Sequence, residues 1–179
     1  MSKLGKKIIS LPKDSNIKIE SWGLLVSGPK GSQKININDK LFSSKTNDKN
    51  EFQIMPNKKT KNTSILWGTY RSLINNAVLG VTNGHEKNLE LNGVGFRASL
   101  KGEKLVLQLG FSHEVTYLIP KGIVIKVEKQ TKLNIAGTDK ELVSKVAADI
   151  KSLKPVEPYK AKGIKEKDQY VIRKEGKKK

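Results

Sequence analysis

One stretch of the sequence has the glycine spacing of a nucleotide-binding loop. Residues Gly93–Ala98, GVGFRA, fit the pattern G-x-G-x-x-G/A, whose glycines let the backbone approach the pyrophosphate of a dinucleotide at a helix N-terminus. That chemistry requires a helix directly after the loop. Here the alternating leucines of Leu105–Leu109 follow Gly102 and predict a β-hairpin, so no cofactor is expected. Gly93 and Gly95 instead predict a bulge or tight bend that presents Arg97.

The other residues that could do chemistry do not form a catalytic or metal-binding set. The sequence has no cysteine, which excludes disulfides, thiolate zinc sites and cysteine nucleophiles. Its two histidines, His85 and His113, have no second histidine or carboxylate pair at ligand spacing. Ser112, His113 and some aspartate could be assembled into a triad on paper, as in most proteins. Polar turn residues or RNA contacts are the preferred interpretation, and neither an enzyme nor a metal site is expected.

The charge of the chain indicates a polyanionic partner. The 35 lysines and arginines against 17 acidic residues leave a net charge of +18 on 179 residues. This self-repulsion opposes compaction, and nucleic acid is the commonest partner that offsets it. No stretch approaches the about 20 apolar residues that span a bilayer, and no basic amphipathic helix stands out, so no membrane partner is expected. A non-specific DNA-binding protein of the nucleoid type would carry the same charge and is the alternative.

Two further features bear on how nucleic acid would be bound. GPKGSQK, residues Gly28–Lys34, lacks the ending of a P-loop and predicts a turn between strands, with a phosphate contact by Lys30 as the alternative. No strand has the aromatic pattern of an RNA-recognition motif, and Trp67 and Tyr70 lie near the apolar face of a predicted helix. Base stacking is therefore disfavoured. Basic loops and a basic C-terminal arm are expected to bind the backbone of folded, double-helical RNA.

The elements that position these residues occur twice. LPKDSNIKIE (Leu11–Glu20) aligns with IPKGIVIKVE (Ile119–Glu128), and Gly28 falls opposite Gly137. Each half reaches an amphipathic helix, over roughly 63–79 and 139–153. Period-two alternation predicts strands before both helices, in the second half at 88–91, 96–100, 104–109, 115–119, 123–127 and 132–135. The predicted fold class is α+β: two similar small domains from an internal duplication, each an antiparallel sheet with one packed helix.

Changes in composition set the predicted domain boundaries. The polar stretch Asp39–Glu51 predicts a loop in the first half, and Gly80–Lys87, which contains Asn83-Gly84, predicts the linker. From Pro155 onward, apolar residues no longer recur at the spacing of a buried helix or strand face. Lys160–Lys179 holds nine basic and three acidic residues. We therefore expect an N-terminal α+β domain over 1–82, a C-terminal α+β domain over 83–154 and a basic C-terminal arm over 155–179.

Several motifs together resemble one protein family. They are VSGPKG, LWGTYRSLINNAVLGVTNG, LELNGVGFRA, LQLGFSHEV, AGTDKELV and the tail PVEPYKAKGIKEKDQYVIRKEGKKK, in collinear order over nearly the whole chain. In this combination the sequence resembles the bacterial-type large-subunit ribosomal protein L-six family. The tail is the most family-specific part. The resemblance implies two domains from an ancient duplication, in agreement with the repeat, and no enzymatic activity.

The resemblance also implies partners. The family binds large-subunit ribosomal RNA, chiefly through the second domain and the C-terminal arm. It lies near the sarcin–ricin loop and the region where translational GTPases dock, as a monomer beside neighbouring large-subunit ribosomal proteins. Its role is structural support for subunit assembly and translation. Lys, Asn and Ile are abundant, which is typical of proteins encoded by AT-rich genes, and the chain shows no evident presequence. These two features slightly favour a mitochondrial, organelle-encoded ribosome over a bacterial or plastid one.

The family motifs, carried over by position, give the candidate rRNA-binding residues. All three arginines lie in these motifs although the chain otherwise prefers lysine, which suggests that their bidentate geometry matters. The chain departs from the family at Ala161, where glycine is usual, at Glu114, where proline is usual, and at Glu166, where an aromatic residue is common. The candidates are Arg71, Gly93, Gly95, Arg97, Ser112, His113, Tyr159, Lys160, Lys162, Gly163, Lys165, Arg173, Lys174 and Lys177.

Overall fold

The chain forms two compact units. The structure, a computed structural model, describes residues 2–20, 22–47, 50–58 and 60–176. The first unit contains the described residues up to His85 together with Thr138–Lys140, and the second contains Glu86–Gly137 and the described residues from Glu141 onward. Each unit combines antiparallel strand pairs with one long helix, so the predicted α+β fold class is confirmed.

Within the described residues, the first unit has six strands followed by a helix. They are β1 (Ile9–Ser10), β2 (Asn16–Glu20), β3 (Gly23–Gly28), β4 (Gly31–Asn36), β5 (Phe42–Asn47), β6 (Glu51–Pro56) and α1 (Lys61–Thr82). The strands form two antiparallel sheets, in the orders β2-β3-β4 and β1-β6-β5. Apolar residues from both sheets, such as Val26 and Phe52, are buried together with Ile74 of α1.

The aromatic side chains of α1 belong to this core, as predicted. Trp67 is 7% exposed, and its indole N–H donates a hydrogen bond to the carbonyl oxygen of Ile54 at 2.6 Å. Tyr70 packs edge-on against Phe42, with ring centroids 5.2 Å apart. Because the indole N–H has a partner, the large apolar ring is buried without an unsatisfied polar atom.

The predicted loop at Asp39–Glu51 is wrong, because this polar stretch contains β5. The strand pairs with β6 from Phe42↔Pro56 to Asn47↔Glu51. β5 is an edge strand of its sheet, and among its described side chains only Phe42 belongs to the core. The backbone groups of β5 hydrogen-bond to β6 whether its side chains are polar or apolar. The polar composition therefore did not indicate a strand.

The predicted linker at Gly80–Lys87 contains the boundary between the two units, which falls between His85 and Glu86, but it is too long. α1 continues to Thr82, and the next strand begins at His85. Val81 is fully buried, and its carbonyl oxygen accepts a hydrogen bond from the backbone N–H of Lys30 at 2.9 Å. The last helical turn is therefore part of the first core, and only Asn83 and Gly84 connect the two elements.

The GPKGSQK stretch forms the turn that was predicted for it. Pro29 and Lys30 connect β3 to β4, and Gly28 lies opposite Gly31 in the register. The ammonium group of Lys30 donates a hydrogen bond to the carbonyl oxygen of Asn83. The side chain considered as an alternative phosphate ligand thus has a partner within the first unit.

The second unit contains two sheets and the second helix. Its elements are β7 (His85–Asn92), β8 (Arg97–Lys101), β9 (Lys104–Gln108), β10 (Val115–Leu118), β11 (Ile123–Glu128), β12 (Lys132–Gly137), α2 (Lys140–Ser152) and β13 (Gly163–Glu166). The sheet orders are β11-β12-β7-β13 and β10-β9-β8. The six strands predicted for this half and the helix after them are confirmed, whereas β13 was not predicted.

Repeated sequence positions occupy equivalent places in the two units. β2 and β11 lie within the two aligned segments, and each pairs antiparallel with the strand that follows it. Gly28 ends β3 and Gly137 ends β12. A Cβ atom on Gly28 would lie 2.8 Å from Val81 of α1, and one on Gly137 would lie 2.9 Å from Val143 of α2. In both units a glycine thus lets the helix approach the sheet, as expected for a duplication.

Candidate nucleic-acid interface

The stretch with dinucleotide-like spacing forms a tight bend between two strands. β7 ends at Asn92 and β8 begins at Arg97. In the bend the backbone N–H of Phe96 donates to the carbonyl oxygen of Gly93 at 3.3 Å, and Gly95 has a φ of +77°, a conformation that favours glycine. β8 continues into the β8–β9 hairpin, where a dinucleotide loop would require a helix. The prediction of a bend followed by a hairpin is confirmed.

Phe96 joins this bend to the turn that contains His113. The Phe96 side chain is 8% exposed. A Cβ atom on Gly93 would lie 2.9 Å from the Phe96 ring, and one on Gly110 would lie 3.4 Å from it. The absence of side chains at both glycines leaves room for the ring. The bend at Gly93–Arg97 and the turn that begins at Gly110 therefore lie side by side.

The C-terminal segment reaches the same place through the unpredicted strand β13. This strand pairs antiparallel with β7, and Gly163 lies opposite Asn92, the residue before the bend. The backbone N–H of Ile164 donates to the carbonyl oxygen of Lys154 at 2.9 Å. Residues 155–163 therefore form a loop that starts and ends beside β7. Within this loop Ala161 has a φ of +56°, the conformation that the family's usual glycine would adopt without strain.

The last described residues return to this loop. The backbone N–H of Lys174 donates to the carbonyl oxygen of Pro158 at 2.8 Å. A groove runs beside them, and it is lined by Asn92, Ala161, Lys165, Gln169, Tyr170, Val171, Ile172 and Arg173. Two motifs that are separated by nine residues in the tail, Tyr159–Gly163 and Arg173–Lys174, are thereby brought together.

Most of the predicted residues thus lie at one end of the second unit, which we call the basic end. It comprises Gly93–Arg97, Gly110–His113, Tyr159–Gly163 and Arg173–Lys174. Its cationic side chains are all exposed: Arg97, Lys160, Lys162, Arg173 and Lys174. Ser112, His113 and Tyr159 are also exposed. Exposed cations grouped on one surface can contact several phosphates of a nucleic-acid backbone at once.

Three predicted residues differ from this group. The ammonium group of Lys165 lies 3.3 Å from the carboxylate of Glu90, its neighbour on β7. Arg71 belongs to the first unit, where its guanidinium donates to the carbonyl oxygens of Lys7 and Ile8 at 3.3 and 3.4 Å. Both side chains already have protein partners, and their contact with RNA stays a prediction. Lys177 lies outside the described residues.

Glu166 connects β13 to two other elements of the second unit. Its carboxylate lies 2.9 Å from the ammonium of Lys87 on β7 and 3.4 Å from that of Lys151 on α2. The hydrogen bond from Lys87 holds the pKa of Glu166 below its usual range; partial burial opposes this, and the charges of both lysines add to it. The sequence marked Glu166 only as a departure from the family. In the structure its two ion pairs connect β13, the strand next to the basic end, to β7 and α2.

We expect the variant Glu166→Gln to lower the free energy of unfolding of the second unit by about 0.5 kcal/mol at neutral pH, as for other partly exposed ion pairs. Because the folded-state pKa is lowered, this stabilisation is present above the unfolded pKa and is lost as the pH falls through the folded pKa. Urea unfolding at a series of pH values should therefore show wild type and variant converging as the pH falls below the ordinary glutamate pKa of about 4.3. Glu103→Gln, at an exposed turn and outside these ion pairs, is the control for the loss of one negative charge. A difference that persisted in acid would show that Glu166 acts through packing instead of charge.

Lys154 lies beside the basic end, although the sequence motifs did not predict it as an RNA-binding residue. Its ammonium group lies 4.3 Å from the centroid of the Phe111 ring, and the Phe111 and His113 rings are stacked 6.2 Å apart. Lys154 directly precedes Pro155, where the family-specific tail begins. Its position next to that motif is the signal that could have identified it.

The two histidines have separate surroundings. A ring nitrogen of His85 lies 2.9 Å from the carbonyl oxygen of Asn76 in the first unit, whereas His113 stacks on Phe111 in the second. In the part of the chain that the structure describes, no three histidine or acidic side chains are grouped as a metal ion would need. Nor does a described helix have the length and apolar character to cross a membrane.

Exposed cations grouped on a duplicated α+β fold are the electrostatic feature typical of basic, nucleic-acid-binding proteins. The model of the family described as ribosomal protein L6 matches residues 11–84 and 92–167, one segment for each half of the duplication. The chain belongs to the ribosomal protein L6 family, a family of the large ribosomal subunit.

Full-length relatives agree with this assignment. The protein named large ribosomal subunit protein uL6 in Rhodopseudomonas palustris (strain BisA53) is 44% identical over 179 residues, 100% of both chains. The protein of the same name in a Nitratiruptor species is 45% identical over 177 residues, 99% of this chain and 98% of its own. That of Bartonella tribocorum is 42% identical over 179 residues, again 100% of both. These organisms are bacteria, so the expected preference for a mitochondrial ribosome is not supported.

Proposed function

We propose that this protein is a structural component of the large ribosomal subunit that binds large-subunit ribosomal RNA through the basic end of its second unit. One observation supports this most directly. Three motifs that are separate in sequence, Gly93–Arg97, Gly110–His113 and Tyr159–Gly163, are brought together at the basic end, where the backbone N–H of Lys174 also donates to the carbonyl oxygen of Pro158. Five exposed cations on that surface can neutralise neighbouring phosphates, which is the sequence-independent source of affinity for nucleic acid.

The proposed surroundings follow from the family resemblance. The protein lies near the sarcin–ricin loop and the region where translational GTPases dock, beside neighbouring large-subunit ribosomal proteins, and is present as a monomer in the ribosome. Its role is to support subunit assembly and translation by holding RNA, without catalysis. The fixed loops of the basic end suit this role, because preorganised contacts lose little conformational entropy when RNA binds.

Competition between nucleic acids tests the proposal. The full-length protein is mixed with a labelled fragment of bacterial large-subunit rRNA that contains the sarcin–ricin loop and its neighbouring helices, at about 0.15 M salt. Unlabelled fragment should displace the label at a concentration at least about tenfold lower than random duplex DNA, because shape as well as charge is recognised. Equal displacement by both competitors would instead support the non-specific DNA-binding alternative. A domain-sized rRNA fragment from the small subunit controls for general affinity for folded RNA.

A further inference from the structure

The turn between β9 and β10 exposes an aromatic pair that the core does not use. Phe111 is 44% exposed, and its ring and that of His113 are nearly parallel, with an interplanar angle of 18° and centroids 6.2 Å apart. Phe111 is not among the residues of the second core. Exposing a phenylalanine ring leaves apolar surface in water, which favours its coverage by a partner.

Contacts on both sides hold this turn in place. At its base, the side-chain amide of Gln108 donates to the carboxylate of Glu114 at 3.0 Å. Gly110 rests against the Phe96 ring, which also contacts the Gly93 bend. The two aromatic rings are therefore presented from a closed turn on a packed base. A preorganised platform of this kind binds a planar group at a lower entropic cost than a flexible loop does.

A cation completes the cluster. The ammonium group of Lys154 lies 4.3 Å from the Phe111 ring centroid. Lys154 immediately precedes the loop that contains Lys160 and Lys162, so the rings border the cations of the basic end. Aromatic faces next to cations that follow a phosphate backbone are the combination by which proteins bind unpaired nucleotides.

We propose that the Phe111–His113 pair stacks an unpaired nucleobase of the bound RNA, while Lys154 contacts an adjoining phosphate. This inference rests on the proposed function and adds to it a contact with a base, where the basic end otherwise contacts the backbone. The aromatic residues lie in a turn instead of on a sheet face, so the sequence pattern of an RNA-recognition motif does not detect them.

Two oligomers of equal charge test the stacking. The first is an eight-nucleotide oligoadenylate, and the second is an eight-unit abasic ribose phosphodiester without bases. Fluorescence anisotropy at low salt should show that the full-length protein binds oligoadenylate about 5- to 150-fold more tightly, the range expected for stacking of one base. The variant Phe111→Leu should lose this preference and keep its affinity for the abasic oligomer. Phe111→Trp should retain the preference for oligoadenylate. Lys154→Gln should lower the affinity for both oligomers to the same extent.

Several outcomes would overturn the proposal. Equal affinity of the wild type for both oligomers, no measurable binding of oligoadenylate, or an unchanged preference in Phe111→Leu would each do so. If Phe111→Leu does not fold, His113→Ala at the neighbouring exposed ring provides the same test. Failure of the proposed function can be told apart from failure of the stacking. If the wild type does not prefer rRNA to duplex DNA but Phe111→Leu still loses the preference for oligoadenylate, the proposed function fails and the stacking proposal stands. A protein that prefers rRNA and binds both oligomers equally retains the proposed function without the stacking.

Discussion

Replacing the five exposed cations of the basic end with glutamine should reduce affinity for the rRNA fragment by about 1,000-fold at about 0.1 M salt. The residues are Arg97, Lys160, Lys162, Arg173 and Lys174. Each phosphate contact releases condensed counterions, so the plot of log affinity against log salt concentration should lose about four units of slope. Nitrocellulose filter binding over a series of salt concentrations measures both quantities. Substitution preserves β13, which a deletion of residues 155–179 would remove together with the cations.

A charge-matched variant controls for the loss of positive charge. It replaces five exposed lysines of the first unit with glutamine: Lys13, Lys18, Lys40, Lys45 and Lys61. If the basic end binds RNA, this control should lose much less affinity and keep most of the salt slope. Equal losses in the two variants would contradict a localised interface, because they would show that overall charge alone determines binding.

The variant Ile164→Ala should lower the free energy of unfolding of the second unit by about 2–4 kcal/mol. Ile164 is fully buried in the second core, although it lies in the lysine-rich tail. Truncating it leaves a cavity in the second core, and the neighbouring side chains lose their contacts with the removed methyl and methylene groups. Because both tryptophans lie in the first unit, urea unfolding is best followed by hydrogen exchange at the amides of β7 and β13.

Ile172→Ala is the matched control, because it makes the same change eight positions further along the same segment. Ile172 is 74% exposed, so the expected change is within about 0.5 kcal/mol. If the two variants were equally stable, the 163–166 segment would not be packed as a strand. A large effect of Ile164→Ala on rRNA affinity as well would show that β13 positions the basic end.

Local patterns in the sequence predicted much of the fold and of the candidate site. The helices were visible because apolar residues recur at helical spacing along a single segment. The strands of the second half were visible because one of their faces is buried and the other is exposed, which produces alternation. β5 lacked this signal because it lies at the edge of its sheet and, of its side chains that the structure describes, Phe42 alone is in the core. The last turn of α1 was not predicted, because Asn83-Gly84 indicates a turn and no local pattern indicates that Val81, just before it, is buried.

By itself, the sequence determined that this protein is basic, duplicated, α+β and a member of the ribosomal protein L6 family, because these properties are recorded in composition, periodicity and contiguous motifs. The tertiary structure alone decided which motifs meet. It placed β13 against β7, paired Lys165 with Glu90, and set Lys154 over the ring of Phe111. These contacts join segments far apart in the chain. Their register depends on backbone hydrogen bonds and on shared burial, and neither leaves a local pattern in the sequence.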